Sequence, residues 1–203
     1  MNPPLASVIV SFLAPMLVLM ILTGALMRST TLKPRGVGWC VGSGLVSLGI
    51  LMIPVADVPM ARAFAGIVDH WSVPMLALLV AAVAKLYFGM ELFRPADQGA
   101  LWIFGVVTGL VLSPMALGWG AADPFALGWR FGPLIVLVGM IALILQWRGN
   151  RFGIVLVLSF GAWLVGIAES GNVWDCLIDP IFFVVAVVSG IRFLMGNRGG
   201  NPR

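Results

Sequence analysis

The chain has 203 residues, 61% of them hydrophobic and 10% charged, with a formal net charge of +4. A soluble domain carries about 25% charged residues; so few charges cannot keep a surface wet, so the composition excludes an ordinary soluble domain and turns most of the surface toward lipid. Nucleic acid is excluded as a partner as well, because the basic residues are scattered one to three at a time between apolar runs and form no basic tract.

A helical crossing needs about 20 apolar residues, and the sequence predicts an all-α, polytopic membrane protein with seven such spans in a single domain over residues 1–203. The first span covers about 5–27, with Pro15 inside it. No basic residue precedes it and no clear small-residue cleavage site closes it, so it reads as a span, not a cleaved leader. A basic loop with Arg28, Lys33 and Arg35 leads to the second span, about 36–55, which is rich in glycine. There Gly38/Gly42 and Ser43/Ser47 have the small-xxx-small spacing that lets helices approach closely.

The longest connection follows. Met60, Phe64, Ile67, Val68 and Trp71 recur at helical spacing, with Arg62, Gly66 and Asp69 on another face. That pattern predicts a short amphipathic helix over about 59–71, lying in the membrane interface. The third span, about 73–93, contains Lys85 and Tyr87. Lys85 either snorkels to the interface or pairs within the bundle, Glu91 being one partner in reach. Tyr87 reads as an interfacial anchor. Further spans are predicted over about 99–117, 131–147, 152–168 and 180–195.

Loop charges set the orientation. Arg28, Lys33, Arg35, Arg94, Arg148, Arg151, Arg192, Arg198 and Arg203 fall on one side of this scheme, and only Arg62 and Arg130 on the other. The positive-inside rule places the first group in the cytoplasm, the N-terminus outside and the C-terminus inside. Tryptophans fit the same scheme: Trp39, Trp102 and Trp147 mark the inner interface, and Trp71, Trp119, Trp129 and Trp174 the outer one. Cys40 and Cys176 then lie near opposite faces, too far apart to bond.

The acids sort the other way. Asp57, Asp69, Asp123, Glu169, Asp175 and Asp179 fall outside, and only Glu91 and Asp97 inside. Acidic residues contribute little to topology, so the asymmetry marks either chance or a site. The densest polar stretch is Glu169-Ser-Gly-Asn-Val-Trp-Asp-Cys-Leu-Ile-Asp-Pro180. Were it one helix, Glu169, Asn172, Cys176 and Asp179 would share a face. Glu169 directly follows an apolar run; an ionisable group at that depth calls for a partner, and Arg130 comes first, His70 second. The candidate site is thus Glu169, Asn172, Asp175, Asp179, Asp123, Arg130 and His70. Both Asp123-Pro124 and Asp179-Pro180 also suit plain helix capping, an acceptor followed by a proline at the first helical position.

No HExxH, Gly-x-Ser-x-Gly or phosphate-binding loop occurs, and a catalytic zinc would want more than the single His70. No metal or cofactor is expected, and the sequence leaves open whether the chain is an enzyme.

From about Leu112 to Val188 the chain resembles a family of uncharacterised bacterial inner-membrane proteins. The likeness rests on Ser113-Pro-Met-Ala-Leu-Gly118, on Asp123-Pro-Phe-Ala-Leu-Gly-Trp129 and on the polar stretch. Such proteins carry Glu-Ser-x-Asn-Leu-Trp-Asp-x-Leu-Leu-Asp-Pro before the last span; here Val173 and Ile178 replace leucines. The resemblance implies the bacterial inner membrane and the same architecture, and supplies no activity. The leading expectation is a non-catalytic accessory subunit binding membrane lipid or another membrane protein at its outer face. The alternatives are a transferase or hydrolase acting on a lipid-linked substrate, and a small-solute transporter.

Overall fold

Backbone N–H and C=O groups in apolar surroundings must bond to one another, and a helix does this within a single segment. The long apolar runs are accordingly helical where they are described. The computed structural model describes residues 5–29, 34–55, 57–67, 70–116, 124–167 and 171–198. Among these the fold is all-α, with nine helices: α1 (Leu5–Ser29), α2 (Val37–Met52), α3 (Met60–Ile67), α4 (Val73–Phe88), α5 (Pro95–Ala116), α6 (Pro133–Trp147), α7 (Phe152–Leu164), α8 (Val173–Leu177) and α9 (Pro180–Arg198). A 3₁₀ turn, Pro124–Gly128, precedes α6. Between α2 and α3 runs a small antiparallel hairpin, β1 (Pro54–Val55) and β2 (Val58–Pro59), in which Val55 pairs with Val58.

Local chemistry sets the ends. Pro95, Pro133 and Pro180 each occupy a first helical position, where the missing N–H costs nothing and φ is already fixed. Gly89 and Gly149 follow α4 and α6 with φ of 70° and 67°, the left-handed stop that glycine adopts without strain. Helix α5 begins at Pro95, ahead of the expected 99, because Asp97 accepts from the Arg94 N–H at 2.8 Å and caps the earlier turn.

The chain divides into two compact units, Met1–Trp71 with Leu76–Leu92, and Ser72–Met75 with Phe93–Arg203. In the first, α1 packs along α2, and α3 packs on both. Ser43, Ser47 and Leu51 form the buried line of α2. Tyr87 is fully buried and its hydroxyl donates to the Met20 carbonyl at 2.9 Å. It therefore joins α4 to α1 and is not the interfacial anchor expected. Arg28 donates to the Leu86 carbonyl at 2.7 Å. Lys85 and Glu91 form an ion pair of 2.9 Å, their side chains 67% and 63% exposed, so pairing and exposure hold together.

In the second unit, α9 lies along α5, and α7 packs on α6, α5 and α8. The α5–α9 seam is close because Gly105 faces Phe182 and Ala186, and Gly109 faces the Phe183 ring. A side chain at either position would occupy the neighbour's space. Gly38/Gly42 show no such contact: among the described residues nothing stands within 4 Å of where their Cβ atoms would be.

Two helical stretches, Phe12–Ser29 and Pro95–Pro114, are long and apolar enough to cross a membrane. The other apolar helical stretches, α2, α4, α6, α7 and Pro180–Met195 of α9, are shorter, at 10–17 residues. Outward faces stay apolar throughout, as at Leu26, Leu45, Ile103, Leu110, Leu143, Leu158 and Leu194.

Candidate functional site

The polar stretch is not one helix. Of its described residues before Pro180, only Val173–Leu177 are helical. Asn172 caps its start, Oδ1 accepting from the Trp174 N–H at 3.0 Å, and Ile178 leaves it in extended conformation. Pro180 then opens α9. The residue before a proline is held away from helical geometry, so the chain breaks at Asp179 and the shared face of Asn172, Cys176 and Asp179 expected from one continuous helix does not form.

Asp179 sits at that break, 5% exposed. Its Oδ1 accepts from the Phe182 N–H at 2.7 Å, which caps α9. Its Oδ2 accepts from the Ser72 N–H at 2.9 Å and from the Ser72 hydroxyl at 2.6 Å. Ser72 is wholly buried, and its Oγ in turn accepts from the Met75 N–H at 3.3 Å, capping α4. One carboxylate thus fastens two helix N-termini, whose unpaired N–H groups and dipoles both favour an anion.

Asn172, fully buried, carries a second join. While Oδ1 caps α8, Nδ2 donates to the Phe125 carbonyl at 3.0 Å. The Trp174 indole N–H donates to the Pro124 carbonyl at 2.9 Å. Gly128 lies flat against both side chains; a Cβ there would overlap Asn172 Oδ1 and come within 2.7 Å of the Trp174 ring. On the other flank, Trp163 of α7 donates to the Gly171 carbonyl at 2.8 Å. Two stretches that stand out separately in sequence, 123–129 and 169–180, are therefore one assembly where they are described, stitched by Asn172 and Trp174.

The remaining candidates are placed as follows. Asp175 is half-buried in α8, and Arg130 is exposed beside Trp129 and Phe131, which are also exposed. His70 is half-buried and belongs to the other unit. Glu169 and Asp123 lie outside the described residues, and with them the proposed Glu169–Arg130 pairing. Cys40 and Cys176 are not disulfide-bonded, and the latter is buried. Among the described residues no three His, Cys, Asp or Glu side chains gather closely enough to hold a metal ion.

Three residues escaped the sequence reading. Ser72 precedes Val73-Pro74, an N-cap signature that could have been read directly. Gly128 and the indole of Trp174 had no local signal, since their partners are tens of residues away. Chemically, the assembly is a rigid polar platform. Its buried carboxylate and amide oxygens are filled by backbone N–H groups and the Ser72 hydroxyl, and Arg130 with its aromatic neighbours is among the described residues it leaves exposed. No protein-family model, curated protein or solved structure matches the chain.

Proposed function

We propose that this chain is a seven-span protein of the bacterial inner membrane, N-terminus outside and C-terminus in the cytoplasm, serving as a non-catalytic accessory subunit. It binds another membrane protein or a lipid head group at its outer face. The observation that carries this reading is the use made of the buried polar groups. A general acid or base must exchange a proton with its substrate. Asp179 has its acceptor sites filled by Ser72 and Phe182, and Asn172 is bonded at both its oxygen and its nitrogen. Neither can turn to a substrate without releasing a helix end. Such a platform presents a surface and holds it still.

Membrane residence is supported by the apolar outward faces and by the two helices of spanning length. Helices shorter than the hydrocarbon core are accommodated by local thinning and by flanking residues that reach the interface. The segregation of arginine and lysine from the acids supports the orientation, and the resemblance to inner-membrane proteins supports the compartment.

The test is isolation from native membranes in mild detergent. The wild type is expected to retain a stoichiometric protein or lipid. Arg130→Glu, an exposed change expected to alter stability by no more than about 0.5 kcal/mol, is expected to lose it. A wild type that carries neither ligand, or a variant that keeps it undiminished, contradicts the proposal.

A further inference from the structure

The end of the C-terminal unit where α5 and α7 begin carries the opposite charge. Asp97 is 1% exposed there, and its two oxygens serve two segments. Oδ2 accepts from the Arg94 N–H at 2.8 Å, and Oδ1 from the Arg151 N–H at 3.0 Å. Asn150 strengthens the join: Nδ2 donates to the Ala96 carbonyl at 3.1 Å, and Oδ1 accepts from the Phe152 N–H at 2.9 Å. One buried carboxylate thus holds two arginine backbones side by side, with Arg148 three residues before the second. Helix α9 brings Arg192 to the same end, since Phe193 lies 3.6 Å from the Cβ position of Gly99. Arg94, Arg148 and Arg192 are exposed. The positive ends of α5 and α7 add to the field.

The neighbouring surface says what kind of anion fits. Along α6, Met140, Leu143, Ile144 and Trp147 are 50%, 66%, 49% and 91% exposed. Residues three and four apart share a helix face, so these four make an apolar track that ends at Arg148. A free phosphate or an acidic peptide would match the charge and leave the track bare. An amphiphile matches both. We infer that this end binds an anionic phospholipid, its phosphate held by the exposed Arg94 and Arg148 and an acyl chain lying along the α6 track. The guanidinium fork suits phosphate oxygens. The inference rests on the proposed membrane location but not on the outer-face site.

The test titrates the detergent-purified protein with phosphatidylglycerol, with phosphatidylcholine of the same chains, and with glycerol 3-phosphate, following unfolding temperature and native mass spectra. Phosphatidylglycerol is expected to be retained and to raise the unfolding temperature; phosphatidylcholine to do so far less; glycerol 3-phosphate not at all. The double variant R94Q/R148Q is expected to lose the preference, about fivefold in affinity per arginine, while R94K/R148K, with charge kept, holds most of it. Asp97 grips the Arg94 backbone N–H, which the substitution keeps; Arg148→Gln alone gives the same reading if the double variant unfolds. Equal retention of the two lipids by the wild type, an undiminished preference in the glutamine variants, or an equal shift from glycerol 3-phosphate overturns the inference. A wild type that stays monodisperse without detergent would instead remove the membrane reading itself.

Discussion

Asp179 and Asn172 show how much a single side chain can hold in this protein. Asp179→Asn turns one carboxylate oxygen into an N–H₂ group facing donors, and each buried donor left unsatisfied costs about 1–3 kcal/mol. Thermal unfolding in detergent is expected to fall by that order, and Ser72→Ala to destabilise in the same direction. Gly128→Ala is expected to cost about 1–3 kcal/mol by overpacking against Asn172. The cost should shrink when Asn172→Ala is also present, because the overlapping oxygen is gone; simple additivity of the two changes would show that the contact is not made. The sequence announced part of this. Asp179-Pro180 read as a cap, and it is one. That its second oxygen serves Ser72, and that Asn172 reaches Phe125, could not be read, because periodicity reports a residue's own helix and is silent about a partner 107 or 47 positions away.

At the scale of elements, the helices themselves were legible. Apolar runs of the right length, closed by proline and glycine, leave the backbone little alternative to a helix. Which helices touch was less so. Small-xxx-small spacing occurs in α2 at Gly38/Gly42 and in α5 at Gly105/Gly109, and among the described residues only the second pair receives bulky neighbours, Phe182 and Phe183 among them. Spacing permits close approach; the facing side chains decide whether it happens. The two sites therefore predict opposite signs. Gly42→Ala is expected to stabilise by up to about 1 kcal/mol through helix propensity, whereas Gly109→Ala is expected to destabilise by about 1–3 kcal/mol. Matched unfolding curves decide between them, and equal effects would refute the packing described.

The loop after α4 carries a pH-dependent term. The Lys85 ammonium, bonded to Glu91 and close in charge, holds that carboxyl below its usual range. A lowered folded-state pKa contributes stability that is present above the unfolded value, about 4.3 for glutamate, and lost as pH falls through the folded value. The stability difference between wild type and Glu91→Gln is thus expected at neutral pH, to fade as pH falls from the unfolded glutamate value through the lower folded one, and to shrink in high salt, since both groups are exposed. A difference that grows toward acid pH would reverse the assignment.

For the whole molecule, the two ends of the C-terminal unit are chemically distinct. One gathers arginines around the buried Asp97; the other gathers Asn172, Asp175 and Asp179 around capped helix ends. Composition alone pointed to lipid as the solvent of the outward faces, and charge sorting pointed to which end faces the cytoplasm. Neither identified a ligand, because a head group or partner is recognised by groups that only folding brings together.

The central claim is that these ends lie on opposite sides of a membrane, and cysteine labelling in sealed cells tests it most directly. In a background with Cys40→Ser and Cys176→Ser, an impermeant thiol reagent is expected to modify Arg62→Cys and Arg130→Cys in intact cells. Arg35→Cys and Arg148→Cys are expected to react only after permeabilisation. Equal labelling of positions 130 and 148 in intact cells, or labelling of position 62 only after the membrane is opened, would contradict the account.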